Sequence, residues 1–362
     1  MYFMRFAAIL AAGVGAALPS WAQVTLSGTI DLIVRRDSGM AGKAMYALSP
    51  GGSRSSRLTF SAREDLGGGL VAHVVLESGL AADVGTAGAN AAFFSRVATV
   101  NLGSDATGYI SFGRQYTPLQ DVSASGSSDP FGGAWLGGTN TVFSKTINTN
   151  NGIVYHYGLG SSGTVGPVPV TGLGVVALVA PGEAATQTGG VPAQGSAGNQ
   201  FGLGASYGYG PVWVGAAYHN VKGSSDTGLN SPNLKQSYAG VAYDFGFARF
   251  HLGWNRGLND AVGTTQLSRV ARVFGITAPA GELGTFRFLY GKADDRTAYH
   301  RDFSTVQVAY LYNLSKRTAL YVNAAQVDNS ATSSQSLSNF TVSSVPAGAK
   351  VRTLAAGMRH SF

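Results

Sequence analysis

Alternation with a period of two runs through almost the whole chain and limits sharply what it can fold into. In residues 57 to 79, RLTFSAREDLGGGLVAHVVLESG, the apolar Leu58, Phe60 and Ala62 alternate with Arg57, Thr59, Ser61 and Arg63. Past a glycine turn, Leu70, Ala72, Val74 and Leu76 alternate with Val71, His73, Val75 and Glu77. Successive side chains of a strand point to opposite faces, so each arm is a ribbon with one greasier and one wetter side. The stretch from Val24 to Arg35 repeats the rhythm, with Val24, Leu26, Ile30, Leu32 and Val34 on one row and Thr25, Ser27, Thr29, Asp31 and Arg35 on the other. Rows beginning at Phe201, Val212, Ala248 and Val306 do the same and carry aromatics near their ends, where an interfacial girdle would hold them.

The connections alternate as well. Short ones (DLGGG at 65–69, GSDAT at 103–107, GYGP at 208–211, DFG at 244–246, NLSKRT at 313–318) take turns with long polar ones near 36–54, 79–93, 115–146, 181–199, 220–236, 256–268, 292–302 and 328–349. Short turns at one end and long loops at the other are the mark of an outer-membrane barrel. Counting the runs between them gives sixteen strands; the twelfth, near Arg269 to Ile276, has the weakest pattern because Arg272 shares a row with Val270 and Phe274. In hydrocarbon only a helix or a closed barrel satisfies every backbone hydrogen bond. A spanning helix needs about 20 apolar residues, and beyond Leu18 the best apolar run, Val175 to Ala180, is short and bounded by Gly174 and Pro181. The expected fold is therefore an all-β transmembrane antiparallel barrel.

The first 22 residues read as a leader rather than a strand: Arg5, an apolar run from Phe6 to Leu18, then Ser20-Trp21-Ala22, with cleavage expected before Gln23. The barrel then occupies residues 23–362. There is no cysteine, so no disulfide framework or thiolate metal site exists. Without Arg5 the 25 basic side chains become 24 against 18 acidic ones, a surplus of six. Alone, that surplus suits nucleic acid, anionic lipid or anionic solutes equally.

Enzyme motifs do not hold up. GASYG at 204–208 matches a nucleophile elbow, but Ser206 lies inside an alternating strand and no helix follows. GLGSSG at 158–163 matches a dinucleotide loop, yet TVGPVPV follows it. His73, His156, His219, His251, His300 and His360 are scattered without ligand spacing, so no metal or cofactor is implied.

Four pieces, in order along the chain, carry a resemblance: SRLTFSAREDLGGGLVAHVVLESG (56–79), FSRVATVNLGSDATGYISFGRQYTP (94–118), YNLSKRTALYVNAA (312–325) and the terminal GMRHSF (357–362). They resemble landmarks of the Gram-negative general porins, especially the betaproteobacterial kind. That resemblance implies a sixteen-stranded barrel in the outer membrane, a homotrimer, and a third loop (about 115–144) folded into each lumen as a constriction. It also implies that the final Phe362 is read by the barrel-assembly machinery, and that Arg57 and Arg96 face the constriction.

The row shared with Thr59, Ser61 and Arg63 supports Arg57 independently, whereas Arg96 shares its row with Ala98 and Val100. A third basic residue is expected just before the paired asparagines of the sixth strand, but Asn148 stands there, with Lys145 three residues earlier. Other candidates for the constriction are Arg63, Arg114 and Lys145 on the basic side, with Asp121 and Asp129, the loop's two acids, opposite. A passage of a few ångströms is narrower than the Debye length of about 8 Å, so a few fixed charges could favour anions. The function implied is a water-filled channel for passive diffusion of ions and small hydrophilic solutes, with anion preference; partners are outer-membrane lipid, lipopolysaccharide and small anionic or polar solutes, not nucleic acid. A solute-specific uptake channel of the same barrel type, and an outer-membrane barrel enzyme, are the competing readings.

Overall fold

Sixteen antiparallel staves form one continuous sheet whose last strand pairs with its first. The computed structural model describes residues 23–87, 92–124, 129–133, 136–158, 171–182, 198–223, 232–337 and 344–362; the expected leader over 1–22 and most of GLGSSG lie outside these. In chain order the staves are β1 (Gln23–Ser38), β2 in two pieces (Met45–Pro50 and Arg57–Gly67), β3 (Leu70–Ala81), β4 (Val97–Ser104), β5 (Gly108–Tyr116), β6 (Asn148–Tyr157), β7 (Gly172–Ala180) and β8 (Gln200–Tyr209). There follow β9 (Val212–Val221), β10 (Leu234–Asp244), β11 (Arg249–Asn259), β12 (Ser268–Pro279), β13 (Gly284–Asp295), β14 (Phe303–Asn313), β15 (Thr318–Asn329) and β16 (Lys350–Ser361). Thr86–Ala87 folds back to pair with the end of β3 and is not a stave of the wall.

The alternation survives as two rows per stave. On β16 the exposed Leu354 and Met358 face outward, while Val351, Thr353 and Ala355 are buried facing in. Gly67, Gly68 and Gly69 all take positive φ, a region that Cβ-bearing residues rarely enter, and so reverse the chain between β2 and β3. The Gly67 N–H also donates to Asp65 Oδ1 at 2.8 Å.

Closure rests on the terminal residue as well as on β16. The Gly28 N–H donates to the Phe362 carbonyl at 3.0 Å and the Phe362 N–H returns a bond to the Gly28 carbonyl at 3.1 Å. The Phe362 ring lies over Gly28, where a Cβ would come within 2.6 Å of its Cζ. In a membrane each backbone group left open at such a seam costs several kcal/mol, so these two bonds matter more than they would in water.

One sequence expectation changes, and the weakest of the sixteen expected strands is present. The long connection near 36–54 is mostly strand: β1 continues to Ser38, the chain turns, and Met45–Pro50 pairs back along it. Only residues 51–56 leave the wall, interrupting β2. The weakly patterned twelfth strand is a full stave, because outward-facing Arg272 is paired with Asp294 of β13 at 2.7 Å.

Candidate functional site: the barrel lumen

The segment joining β5 to β6 is pinched at its base, where the Thr117 N–H donates to the Ile147 carbonyl at 3.0 Å. Thr117 caps a short helix, α1 (Pro118–Ser123), its Oγ1 accepting from Gln120 N at 3.2 Å, with Pro118 in the first turn where its missing N–H costs nothing. Small residues on the inner rows let the segment lie against the wall. A Cβ on Gly204 would meet Val122 at 2.9 Å, one on Gly275 would meet Pro130 at 2.5 Å, and one on Gly291 would meet Val142 at 2.6 Å. Wall side chains then fasten the backbone: Asn255 Oδ1 accepts from Ser144 N at 2.8 Å, Gln236 Oε1 from Thr146 N at 2.9 Å, and Arg287 Nη1 donates to the Pro130 carbonyl at 2.6 Å. The segment therefore crosses the inner face from β8 round to β13.

Arg57 and Arg96 meet at one carboxylate. Glu77, on the inner row of β3 and only 2% exposed, receives Arg96 Nε at 2.6 Å on one oxygen. Its other oxygen accepts from Thr59 Oγ1 at 3.0 Å and lies 3.5 Å from Arg57 Nε. Arg96 precedes the first residue of β4, so its side chain escapes the outward row of Ala98 and turns in, its guanidinium reaching the Tyr116 hydroxyl and lying 5.8 Å from that ring's centre. Asn148, where a third base was expected, donates instead to the Arg96 carbonyl at 2.9 Å.

Of the two loop acids, Asp129 is turned into its own loop, whereas Asp121 lies close enough to act on Tyr116, the residue that Arg96 reaches. Asp129 is 1% exposed and spends its oxygens on the loop itself, accepting from Phe131 N at 2.8 Å, Gly133 N at 2.9 Å and the Thr139 hydroxyl. A carboxylate receiving several donors is a scaffold for a turn. Asp121 lies on α1, and burial pushes its carboxyl up to about 7. Lys145 donates to Ser123 Oγ at 3.4 Å, and burial pushes its ammonium down to about 8, opposed by the nearby Asp129.

Arg63 and Arg114 stand apart. Arg63 is opposite His73, six residues down β2 from Arg57, which at about 3.4 Å per residue is about 20 Å away, near the short-turn rim. Arg114 is opposite Ala98 on the outward row of exposed Ile110 and Phe112, and donates from Nε to the Ser95 carbonyl at 2.7 Å and to the Asn150 side chain. The backbone bulge between Gly113 and Gln115 shows in the residues after it, where consecutive Gln115 and Tyr116 are both buried.

Residues 51–56 fold inward over Asp31, a feature the sequence reading missed. Asp31 is fully buried and accepts from Gly52 N at 3.2 Å, Ser53 N at 3.0 Å, Ser53 Oγ at 2.8 Å, Arg54 N at 2.7 Å and the Tyr321 hydroxyl. Arg359 is its direct cross-strand partner on β16 and donates to Ser53 Oγ at 3.3 Å. Glu77 was also missed, although the register counted from the Gly67–Gly69 turn sets it opposite Thr59 and so beside Arg57. Among the described residues no group of three or more His, Asp or Glu side chains is placed to hold a metal.

Comparison with known proteins agrees with this fold. A Gram-negative porin family model matches residues 7–332. Outer membrane porin protein 32 of Delftia acidovorans is 29% identical over 374 residues, spanning 98% of both chains. An outer membrane porin protein of Bordetella pertussis is 26% identical over 376 residues, spanning 89% of this chain and 93% of that one. Among solved structures, the anion-selective porin from Comamonas acidovorans superposes with a TM-score of 0.77 at 27% identity, covering 94% of this chain and all of that one. A trimer form of OmpT from Vibrio cholerae shares the fold alone, with a TM-score of 0.61 at 15% identity, covering 94% of this chain and 99% of that one.

Proposed function

Because the chain belongs to the Gram-negative porin family, and is thus an outer-membrane channel for passive diffusion, we propose that its lumen prefers anions and that Arg57 and Arg96 stand at the narrowest part of the path. The observation that carries this reading is the charge balance around the in-folded segment. Arg54, Arg57, Arg96, Arg287, Arg359 and Lys145 gather there against Asp31, Glu77, Asp121 and Asp129. Asp31 and Asp129 are already saturated by hydrogen-bond donors of the chain. In a water-filled passage narrower than the Debye length, such an excess concentrates anions and repels cations. The anion-selective Comamonas relative supports the sign.

The working unit is a homotrimer embedded in lipopolysaccharide-bearing lipid, inserted by the barrel-assembly machinery acting on the Phe362 end; no catalytic step and no cofactor enter its work. Planar-bilayer recording tests the channel reading. In a potassium chloride gradient the zero-current potential should have the sign of chloride preference, and conductance should rise without saturating. A cation-signed potential overturns the selectivity, and saturation by one solute class would favour the solute-specific alternative. Heat-modifiable migration from trimer to monomer on a denaturing gel tests the assembly.

A further inference from the structure

The two wall arginines share one charge-balancing partner, since Glu77 is within ion-pair distance of both. Arg54 is placed differently. It leaves the wall on the 51–56 segment, its side chain is exposed, and no carboxylate of the described residues lies within ion-pair distance of its guanidinium. Asp31 holds its backbone instead, accepting from Arg54 N at 2.7 Å, and the remaining oxygen positions of Asp31 are taken by Gly52, Ser53 and Tyr321. The tether thus fixes where Arg54 stands while its guanidinium forms no ion pair, though Asp31 still attracts it from beyond ion-pair distance.

The segment cannot swing away easily. Gly52 lies so close to the wall that a Cβ there would be 2.1 Å from Ile33 Cγ2, and its carbonyl accepts from Leu136 N at 3.3 Å, joining the 51–56 segment to the in-folded segment into one rim. Partial burial, then the neighbouring Arg57, Arg359 and Arg287, push the Arg54 guanidinium down to about 10, opposed by Asp31.

Resting on the anion-channel reading above, we propose that Arg54 is the principal selectivity-determining residue of this channel, forming with Arg359 and Arg287 a basic station that adjoins the Arg57–Glu77–Arg96 group. A guanidinium stays charged at every working pH and offers five donors, so it can replace part of the hydration shell of chloride or of a small carboxylate. The wall group, being half neutralised, contributes less per arginine.

The test compares R54Q, R54K, R57Q and R96Q trimers in bilayers under a potassium chloride gradient. R54Q should lower the chloride-to-potassium permeability ratio by about threefold or more, the effect of one unit charge about 6 Å from the path after screening. R54K should keep most of the preference, and R57Q and R96Q should lower it less than R54Q does. The chain has no cysteine, so R54C gives an independent reading: a cationic methanethiosulfonate reagent should restore the preference and an anionic one should reverse it. An R54Q or unmodified R54C ratio equal to wild type, with R57Q or R96Q abolishing selectivity, would overturn this inference alone. A wild-type channel that prefers cations would overturn the reading beneath it.

Discussion

Glu77→Gln separates charge from shape at the point where the two wall arginines meet. Glutamine keeps an oxygen that can accept from Arg96 Nε or from Thr59 Oγ1, whose bonds to the glutamate are 2.6 and 3.0 Å, while one negative charge disappears. The local balance of Arg57, Arg96 and residue 77 moves from +1 to +2. At about 6 Å one unit charge is worth about 0.7 kcal/mol in water, and screening at physiological salt roughly halves it. Anions gain and cations lose that amount, so the permeability ratio should rise about threefold, approaching about tenfold in dilute salt. Folding should cost about 1–2 kcal/mol, less than a fully buried broken pair, because both arginines keep access to lumen water. The assay is the zero-current potential of the purified trimer at high and low ionic strength, with heat-modifiability as the control for assembly. A correctly assembled E77Q channel whose ratio is unchanged, or changes equally at both ionic strengths, would show that ions do not pass close to this group.

Charge reversal gives the complementary result: R57E/R96E alters the local charge by four units and should shift the preference toward cations while the trimer still assembles, which gel migration and the same potential measurement would show. Proton uptake should act in one direction only. Asp121, raised to about 7, loses its negative charge as pH falls, and Lys145, lowered to about 8, gains its positive one. Anion preference should therefore strengthen between pH 9 and pH 6, and a potential that is flat or moves oppositely in that window refutes the placement of these groups along the path. Gly28→Val should impair closure, because its Cβ would stand 2.6 Å from Phe362 Cζ and 2.8 Å from the Arg57 carbonyl, and the yield of heat-modifiable trimer should drop several-fold relative to G202A, whose neighbours stay at 3.0 Å.

The barrel was legible residue by residue because its pattern is a local consequence of two solvents. A strand between lipid and water must alternate, as the Leu58–Phe60–Ala62 row against Arg57–Thr59–Arg63 does, and glycine triplets such as Gly67–Gly69 turn it back. Arg57 could be given its face on those grounds alone. The charge chemistry of the lumen could not, since it depends on which staves the closure brings together. Asp31 meets Arg359 only because the first strand pairs with the last, and Tyr321 reaches the same carboxylate from β15. Arg96 turns inward because it sits just before its strand begins, and Asp129 folds its own loop instead of facing the wall. Nothing in the spacing of GGSRSSR announces that its first residues would leave the sheet and settle on Asp31. Alternation fixes a face within one strand, whereas the meeting of side chains hundreds of residues apart is decided by register, closure and the donors left over once the backbone is paired.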